Sequence, residues 1–232
     1  MPSIAPLAVA FFALLKSTSA LETIGFGPAF SLGPTSSWVR ASNTTLVLPK
    51  TPGLKDNLAL WPGMQCSSGD LVQALAVSVA DPATECGGEK GQWCVWASTL
   101  KDGTQLAGDQ VPANAGDYMT ITYAYNDDTA QYDQNVYING ELVSTLSTTS
   151  GHAEGWGTAV ECQDDACDIT VAKHQYLDTT VVLNSADKSF GDTLDLNAAT
   201  SSTLSSEDGI TWTVKTINHE AYTYNSDNTD PA

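Results

Sequence analysis

Histidines are the first residues to test for chemistry, because a serine hydrolase needs one as the base beside its nucleophile. The chain has three, His152, His174 and His219. One large class of these enzymes carries the nucleophile in a Gly-x-Ser-x-Gly turn, and this sequence contains no such turn. We therefore interpret the histidines as solvated or hydrogen-bonded residues and predict no serine hydrolase.

Metal-binding patterns are the second possibility. Zinc ligands typically occur at Cys-x-x-Cys or His-x-x-x-His spacing, and neither is present. Two acidic pairs, Asp127-Asp128 and Asp164-Asp165, offer oxygen atoms to calcium but lack the spacing of an EF-hand loop. We interpret both pairs as turn residues, and the sequence predicts no metal and no other cofactor.

Aromatic side chains are the third kind of candidate. The chain has six tryptophans and eight tyrosines, and such rings can stack on the apolar face of a sugar. In a β-sandwich most of them are expected in the core or in cross-strand pairs. We assign Trp38, Trp61 and Trp156 as the candidate ligand-binding rings.

The elements that must position these residues are strands. Between residues 117 and 126, apolar and aromatic residues alternate with threonine and alanine, the period of two that is typical of a strand. Asn139-Gly140 stands between two later runs and predicts a tight hairpin, because a type I′ turn needs positive φ at both positions. About ten such strands, with no convincing helical period, predict an all-β, two-sheet antiparallel sandwich of jelly-roll (concanavalin A-like) type.

A series of short motifs runs along these strands. In chain order they are Ser36-Ser-Trp38, Leu46-Val-Leu-Pro49, Trp61-Pro-Gly63, Asp70-Leu-Val-Gln73-Ala, Val111-Pro-Ala-Asn-Ala-Gly-Asp117 and Val160-Glu161. This order resembles the fungal glutamic peptidases, the eqolisin or aspergilloglutamic family, over about residues 36–185. The resemblance implies the fold of that family and, for a catalytic member, cleavage of unfolded protein at acidic pH.

The resemblance also implies a catalytic pair. In that family a glutamate acts as general base on a water molecule and a glutamine donates to the oxyanion. Gln73 stands where the family has its glutamine. Aligning Val160-Glu161 with the family's Val-Glu puts the catalytic glutamate at Gly157, about 13 Å along the strand from Glu161. Opening a gap instead matches Glu154, so Glu154 and Glu161 are both candidates for the base.

Two functions follow from these observations. The first is an acid endopeptidase that uses Gln73 with Glu154 or Glu161. The second is a non-catalytic, lectin-like or glucanase-like relative whose partner is a cell-wall polysaccharide. A structural or effector protein of the same fold is a further alternative. Gln73 shares its strand face with Leu71, Leu75 and Val77, a pattern more typical of a packed face than of an open cleft.

The N-terminus has the pattern of a secretory signal peptide over residues 1–20. Ile4 to Leu15 is an apolar run of suitable length, and Thr18 and Ala20 are the small residues expected before a cleavage site. Asn43-Thr-Thr45 is an N-glycosylation sequon. We therefore expect a secreted, extracellular glycoprotein, with residues 21–35 as an extended lead-in, residues 36–217 as a single domain and residues 218–232 as a flexible tail.

Cysteine count and net charge complete the sequence-based expectations. In a secreted chain the five cysteines predict disulfides, with Cys162 and Cys167 closing one local loop. Cys86 and Cys94 can close another, although Cys66 could also pair with either of them. The formal charge is −18, which excludes a nucleic-acid partner because such a protein needs a basic footprint. We also expect no membrane partner and a monomer.

Overall fold

A computed structural model describes residues 25–53, 57–163 and 168–224 of the chain. The strands of the first half are β1 (Gly25–Leu32), β2 (Val39–Val47), β3 (Leu58–Gln65), β4 (Leu71–Ser78), β5 (Trp93–Lys101), β6 (Thr104–Ala107), β7 (Val111–Ala113) and β8 (Tyr118–Asn126). Those of the second half are β9 (Gln131–Ile138), β10 (Glu141–Thr148), β11 (Trp156–Cys162), β12 (Thr170–Val171), β13 (His174–Leu183), β14 (Asp195–Asn197), β15 (Ala199–Ser201), β16 (Thr211–His219) and β17 (Tyr222–Thr223). One short α-helix, α1 (Pro82–Cys86), and one 3-10 turn, Phe190–Thr193, interrupt them.

Two antiparallel sheets form the sandwich. Sheet A has the strand order β14-β1-β11-β3-β4-β5-β6, with β7 also paired to β5, and sheet B has the order β10-β9-β8-β2-β13-β16-β15. A small third sheet pairs β12 with β17. The predicted all-β jelly-roll class is therefore confirmed. Some neighbours, such as β11 and β3 or β2 and β13, come from distant parts of the chain, so packing between the sheets must select their register.

The core lies between the two sheets and is built by the alternation seen in the sequence. Met119, Ile121 and Tyr123 of β8 point into it, as do Leu46 of β2 and Trp93 of β5. The hairpin between β9 and β10 forms at the predicted position, with φ values of 51° at Asn139 and 87° at Gly140. Both values lie in the left-handed region that the type I′ turn requires, so the hairpin prediction is confirmed.

The folded domain extends beyond both ends of the predicted range 36–217. Residues 25–32, expected to be lead-in, form β1, which is paired on both sides by β11 and β14. At the other end β17 pairs with β12, and Tyr224 is buried with its hydroxyl donating to Val160 O at 3.0 Å. Glycine and proline in β1 hid its strand character. Residues 1–20, predicted to be the signal peptide, lie outside the described residues.

Cysteine pairing follows one of the alternatives that the sequence left open. Cys86 and Cys94 form a disulfide that ties α1 to β5, with their Cα atoms 5.7 Å apart. Cys66 is a free thiol, and burial raises its pKa to about 12. Cys162 is also disulfide-bonded, but its predicted partner Cys167 lies outside the described residues. In the part of the chain that the structure describes, no helix is long and apolar enough to cross a membrane.

Candidate functional site on the outer face of sheet A

The outer face of sheet A carries two of the three polar residues that the sequence analysis selects as catalytic. Alternate side chains of its central strands point away from the core, and the strand register aligns them in rows across the sheet. The first row consists of Ser31, Gly157, Gly63, Gln73 and Ser98. A single strand, β3, therefore separates Gln73 from Gly157, and it contributes a glycine at this level.

Two further rows lie beside the first one along the strands. They contain large apolar residues and one carboxylate, namely Trp61, Leu75 and Trp96 in the second row and Phe26, Glu161, Ala59, Val77 and Cys94 in the third. Most of these residues are buried, and Gln73 itself is only 4% exposed. The face thus surrounds two polar side chains, Gln73 and Glu161, with apolar groups.

Glu161 is a buried carboxyl group held by two donors. It is 7% exposed, Trp61 Nε1 donates to its Oε2 at 2.8 Å, and Gln163 Nε2 donates to its Oε1 at 3.1 Å. Burial raises the pKa of Glu161, because removing a carboxylate from water disfavours the charged form, while the two hydrogen bonds oppose that shift. A carboxyl group with a raised pKa is a common property of acid–base residues, and also of structural buried acids.

The indole of Trp61 stands between Glu161 and the row that contains Gln73. Its nitrogen edge faces Glu161, whereas its benzene edge lies over Gly63, where an added Cβ would be 3.1 Å from Cε3 and Cζ3. Gly157 lies in the same row as Gln73, two strands away, and Glu161 is four residues further along the strand of Gly157. At the usual spacings that offset corresponds to about 16 Å between Cα atoms. The structure does not bring Gln73 and Glu161 together.

Gly157 occupies the position across from Gln73 where the family alignment puts the catalytic base. It carries no side chain, and the backbone around it leaves no room for one. A Cβ added to Gly157 would lie 2.7 Å from the carbonyl oxygen of Phe30 on the neighbouring strand β1. No real Cβ is found so close to a backbone atom, so a carboxylate here would require β1 to move.

Glu154, the other candidate base, lies at the edge of the sheet before β11 begins. Its backbone N–H donates to Gln65 O and its carbonyl accepts from Thr35 N, both at 2.8 Å. These bonds anchor the backbone, while the side chain is exposed. Gln65 pairs with Leu71, two residues from Gln73, so Glu154 lies nearer to Gln73 than Glu161 does, at about 12 Å between Cα atoms.

The three candidate ligand-binding tryptophans occupy three different environments. Trp156 is 1% exposed and lies in the core between the sheets, so it cannot stack on a ligand and its prediction was wrong. Trp38 is stacked on the His152 ring at a centroid distance of 4.1 Å, and the Arg40 guanidinium carbon lies 4.9 Å from the same indole. His152 therefore covers one face of Trp38, and Arg40 lies close to the same ring. Trp61 alone lies on the outer face of sheet A.

Sequence analysis missed two residues that shape this face. Gln163 reaches Glu161 because residues two apart on a strand share a face, a signal that was present in the sequence. Ser98 lies beside Gln73 and accepts a hydrogen bond from Gln105, and its hydroxyl donates to Leu106 O at 2.7 Å. The pairing of β4 with β5 puts Ser98 there, and no local pattern in the sequence indicates it.

Comparison with known proteins supports the fold but not a close relationship. No protein-family model matches the sequence, and no curated protein is significantly similar to it. Among solved structures, scytalido-glutamic peptidase with a transition state analog inhibitor is similar with a TM-score of 0.57 and 13% identity, over 86% of this chain and 98% of that one. SCP-B, a member of the eqolisin family in a complex with the tripeptide Ala-Ile-His, has a TM-score of 0.52 at the same identity and coverage.

The fold is that of the glutamic peptidases. The expected resemblance to that family is thus confirmed at the level of three-dimensional structure. Within this glutamic-peptidase fold, Gln73 lies on the outer face of sheet A, and the position directly across β3 is Gly157. In the part of the chain that the structure describes, none of the three rows puts a carboxylate next to Gln73.

Proposed function

We propose that this protein binds an extended peptide on the outer face of sheet A and does not cleave it by the glutamic-peptidase mechanism. One observation carries the proposal: the row that contains Gln73 has Gly63 and Gly157 where a base would be needed. A carboxylate base must lie within hydrogen-bond reach of the attacking water, directly or through one further water. Glu161, at about 16 Å between Cα atoms and behind the Trp61 ring, does not meet that condition.

The choice of a peptide over a polysaccharide rests on two points. Structures of the same fold are known in complex with a peptide based transition state analog and with a tripeptide. Of the three candidate tryptophans, Trp61 and Trp156 are buried, and Trp38 is stacked on His152. A neutral amide such as Gln73 can donate to a peptide carbonyl in binding as well as in catalysis.

Buried histidines also argue against enzymatic activity at strongly acidic pH, because their protonation would destabilise the folded protein. His174 and His219 lie inside the sandwich with their ring centroids 4.8 Å apart, and burial lowers their pKa values to about 4 and about 3. Protonating this pair would place two like charges side by side in the core. The predicted optimum of a glutamic peptidase, about pH 2–4, is the range in which that destabilisation is greatest.

The test measures cleavage and binding on the same preparation. An unfolded protein substrate is incubated with the purified chain between pH 3 and pH 7, and fluorescent peptides are titrated at pH 6. We expect binding without cleavage, and Gln73→Ala should weaken the affinity about fivefold, the effect of one neutral hydrogen bond. Gln175→Ala, an exposed glutamine on sheet B, is the matched control and should leave the affinity unchanged.

An acid endopeptidase is the alternative, and the observation in its favour is the raised pKa of Glu161 on the face that also holds Gln73. Cleavage at acidic pH that Glu161→Gln or Glu154→Gln abolishes would establish this alternative and overturn the proposal. Absence of both cleavage and peptide binding by the folded protein would overturn both functions.

A further inference from the structure

The outer face of sheet B differs from the rest of the molecule in its chemistry. One complete row across six strands consists only of small, uncharged polar residues, namely Thr145, Asn135, Thr122, Asn43, Thr180 and Thr213. The neighbouring rows continue the pattern, with Thr45 next to Thr120 and their hydroxyl oxygens 2.9 Å apart. The register thus creates a broad hydroxyl and amide surface.

This surface is almost free of charge although the protein is strongly acidic. The chain has 27 aspartates and glutamates, yet in the paired rows of this face the only carboxylate is Asp133. Asp133 accepts hydrogen bonds from Asn126 at 3.2 Å and from Ser147 at 2.6 Å. Asp178, which lies at the register shift between β13 and β2, and Lys215 are both exposed and have opposite charges. A neutral polar partner fits such a surface better than a charged one.

Asn43 lies in the middle of this row and is the acceptor of the sequon Asn43-Thr44-Thr45. Its side chain is exposed, and its cross-strand neighbours are the short side chains of Thr122 and Thr180. Nothing bulky on either side blocks a sugar joined to the amide nitrogen. The core sugars of an N-linked glycan are uncharged and rich in hydroxyl groups, so their chemistry matches the row on which they would lie.

Two exposed apolar side chains and a second tyrosine form a corner of the same face. Tyr118 is 52% exposed and Leu142 is 51% exposed, and Leu142 pairs with Tyr137 across β9 and β10. Tyr137 and Tyr118 lie about 12 to 14 Å from Asn43, counted by strand spacing and rise. The first few sugars of a glycan span that distance, and tyrosine rings offer apolar faces for them.

We propose that an N-linked glycan on Asn43 lies flat on the outer face of sheet B and covers the corner formed by Tyr118, Tyr137 and Leu142. The glycan makes hydrogen bonds to the threonine and asparagine row and shields the exposed rings from solvent. The inference depends on passage of the chain through a secretory pathway, which residues 1–20 predict, and not on the proposed peptide binding.

The experiment compares two substitutions of the same residue in protein secreted from a eukaryotic host. Thr45→Ser keeps the sequon, whereas Thr45→Val removes it with little change in shape. Intact mass reports the glycan, and hydroxyl-radical labelling reports the exposure of each side chain. We expect the wild type and Thr45→Ser to carry the glycan and to show roughly half the labelling of Tyr118 and Tyr137 seen in Thr45→Val, because one face of each ring is covered.

Leu196, which is 40% exposed on sheet A, is the internal control and should be labelled equally in all three proteins. Wild-type protein trimmed with an endoglycosidase repeats the comparison without a substitution, should Thr45→Val fail to fold. Secreted protein without a modification on Asn43 would overturn the proposal. Equal labelling of Tyr118 and Tyr137 with and without the glycan would also overturn it, because the glycan would then extend into solvent.

Discussion

The two outer faces of the sandwich are built by the same alternation but have opposite characters. On sheet A, Trp61, Leu75 and Trp96 point away from the core between the sheets. They form a second buried cluster on the outer face, which also carries the buried side chains of Gln73 and Glu161. Sheet B turns outward a row of threonines and asparagines centred on Asn43, and its side chains stay partly or fully exposed. Among the residues that the structure describes, an outward-facing carboxyl group is buried on sheet A, at Glu161, and its burial raises its pKa. The difference teaches that burial of an acidic side chain, and not its presence alone, raises its pKa towards the range useful for acid–base chemistry.

The largest expected effect comes from placing the same carboxylate on each face. Gly157→Glu should lower the free energy of unfolding by about 3 kcal/mol or more, because its Cβ meets the Phe30 carbonyl at 2.7 Å and its charge is buried. Asn43→Glu, at an exposed position, should change it by less than about 0.5 kcal/mol. Urea unfolding of unglycosylated protein at pH 7 measures both.

A folded Gly157→Glu variant that cleaves protein at acidic pH would contradict this comparison. It would mean that β1 moves readily and that only the carboxylate is missing from a working site. Similar losses of stability on the two faces would instead show that the difference in burial has little energetic consequence.

The second effect concerns pH and the imidazoles on the inward side of sheet B. His174 and His219 have pKa values of about 4 and about 3, below the ordinary 6.5, because they are buried. As pH falls, the histidines of the unfolded chain therefore take up protons before those of the folded chain. Their contribution to the free energy of unfolding is fully present above about pH 6.5 and is lost as pH falls towards about 3. Each histidine contributes up to about 1.4 kcal/mol per pH unit in that window.

Urea unfolding at several pH values between 7.5 and 4 checks this expectation. His174→Gln and His219→Gln should each flatten the profile, because each removes a buried imidazole. Glu161 acts in the opposite direction: its raised pKa means that its contribution to stability is largest below about pH 4.5 and decreases as pH rises. A profile that rises towards acid in the wild type would show that Glu161 outweighs the histidines.

The smallest effect compares one hydrogen bond on each face. Trp61→Phe removes the donor to Glu161 Oε2 and leaves a buried carboxyl group with one partner fewer, which should cost about 1–3 kcal/mol. Thr120→Val removes the hydroxyl contact with Thr45 on the outer face of sheet B and should stay within about 0.5 kcal/mol, because water replaces it. Thermal unfolding of both variants at pH 7 is sufficient. Equal decreases in the unfolding temperature would contradict the assignment of the outer face of sheet A as buried and that of sheet B as solvent-exposed.

Local patterns predicted those features that depend on neighbouring residues. Alternation predicted the strands, and Asn139-Gly140 predicted the hairpin. The period of two also put Gln73 on one strand face with Leu71 and Leu75, but it did not show which side of the sheet that face occupies. The failures have different causes. Glycine and proline concealed β1, and Trp156 was assigned to a ligand site because an aromatic residue in a strand does not reveal which face it occupies.

The sequence by itself determined the fold class, the identity of the groups that carry chemistry and the absence of a side chain at Gly157. Only the tertiary structure decided which of these groups meet. Pairing of β11 with β3 and of β3 with β4 put Gly157 and Gly63 level with Gln73, and the orientation of Trp61 separated Glu161 from that row. Strands β11 and β3 are far apart in the chain, so their register depends on packing of the whole sandwich, and no local stretch of sequence encodes it.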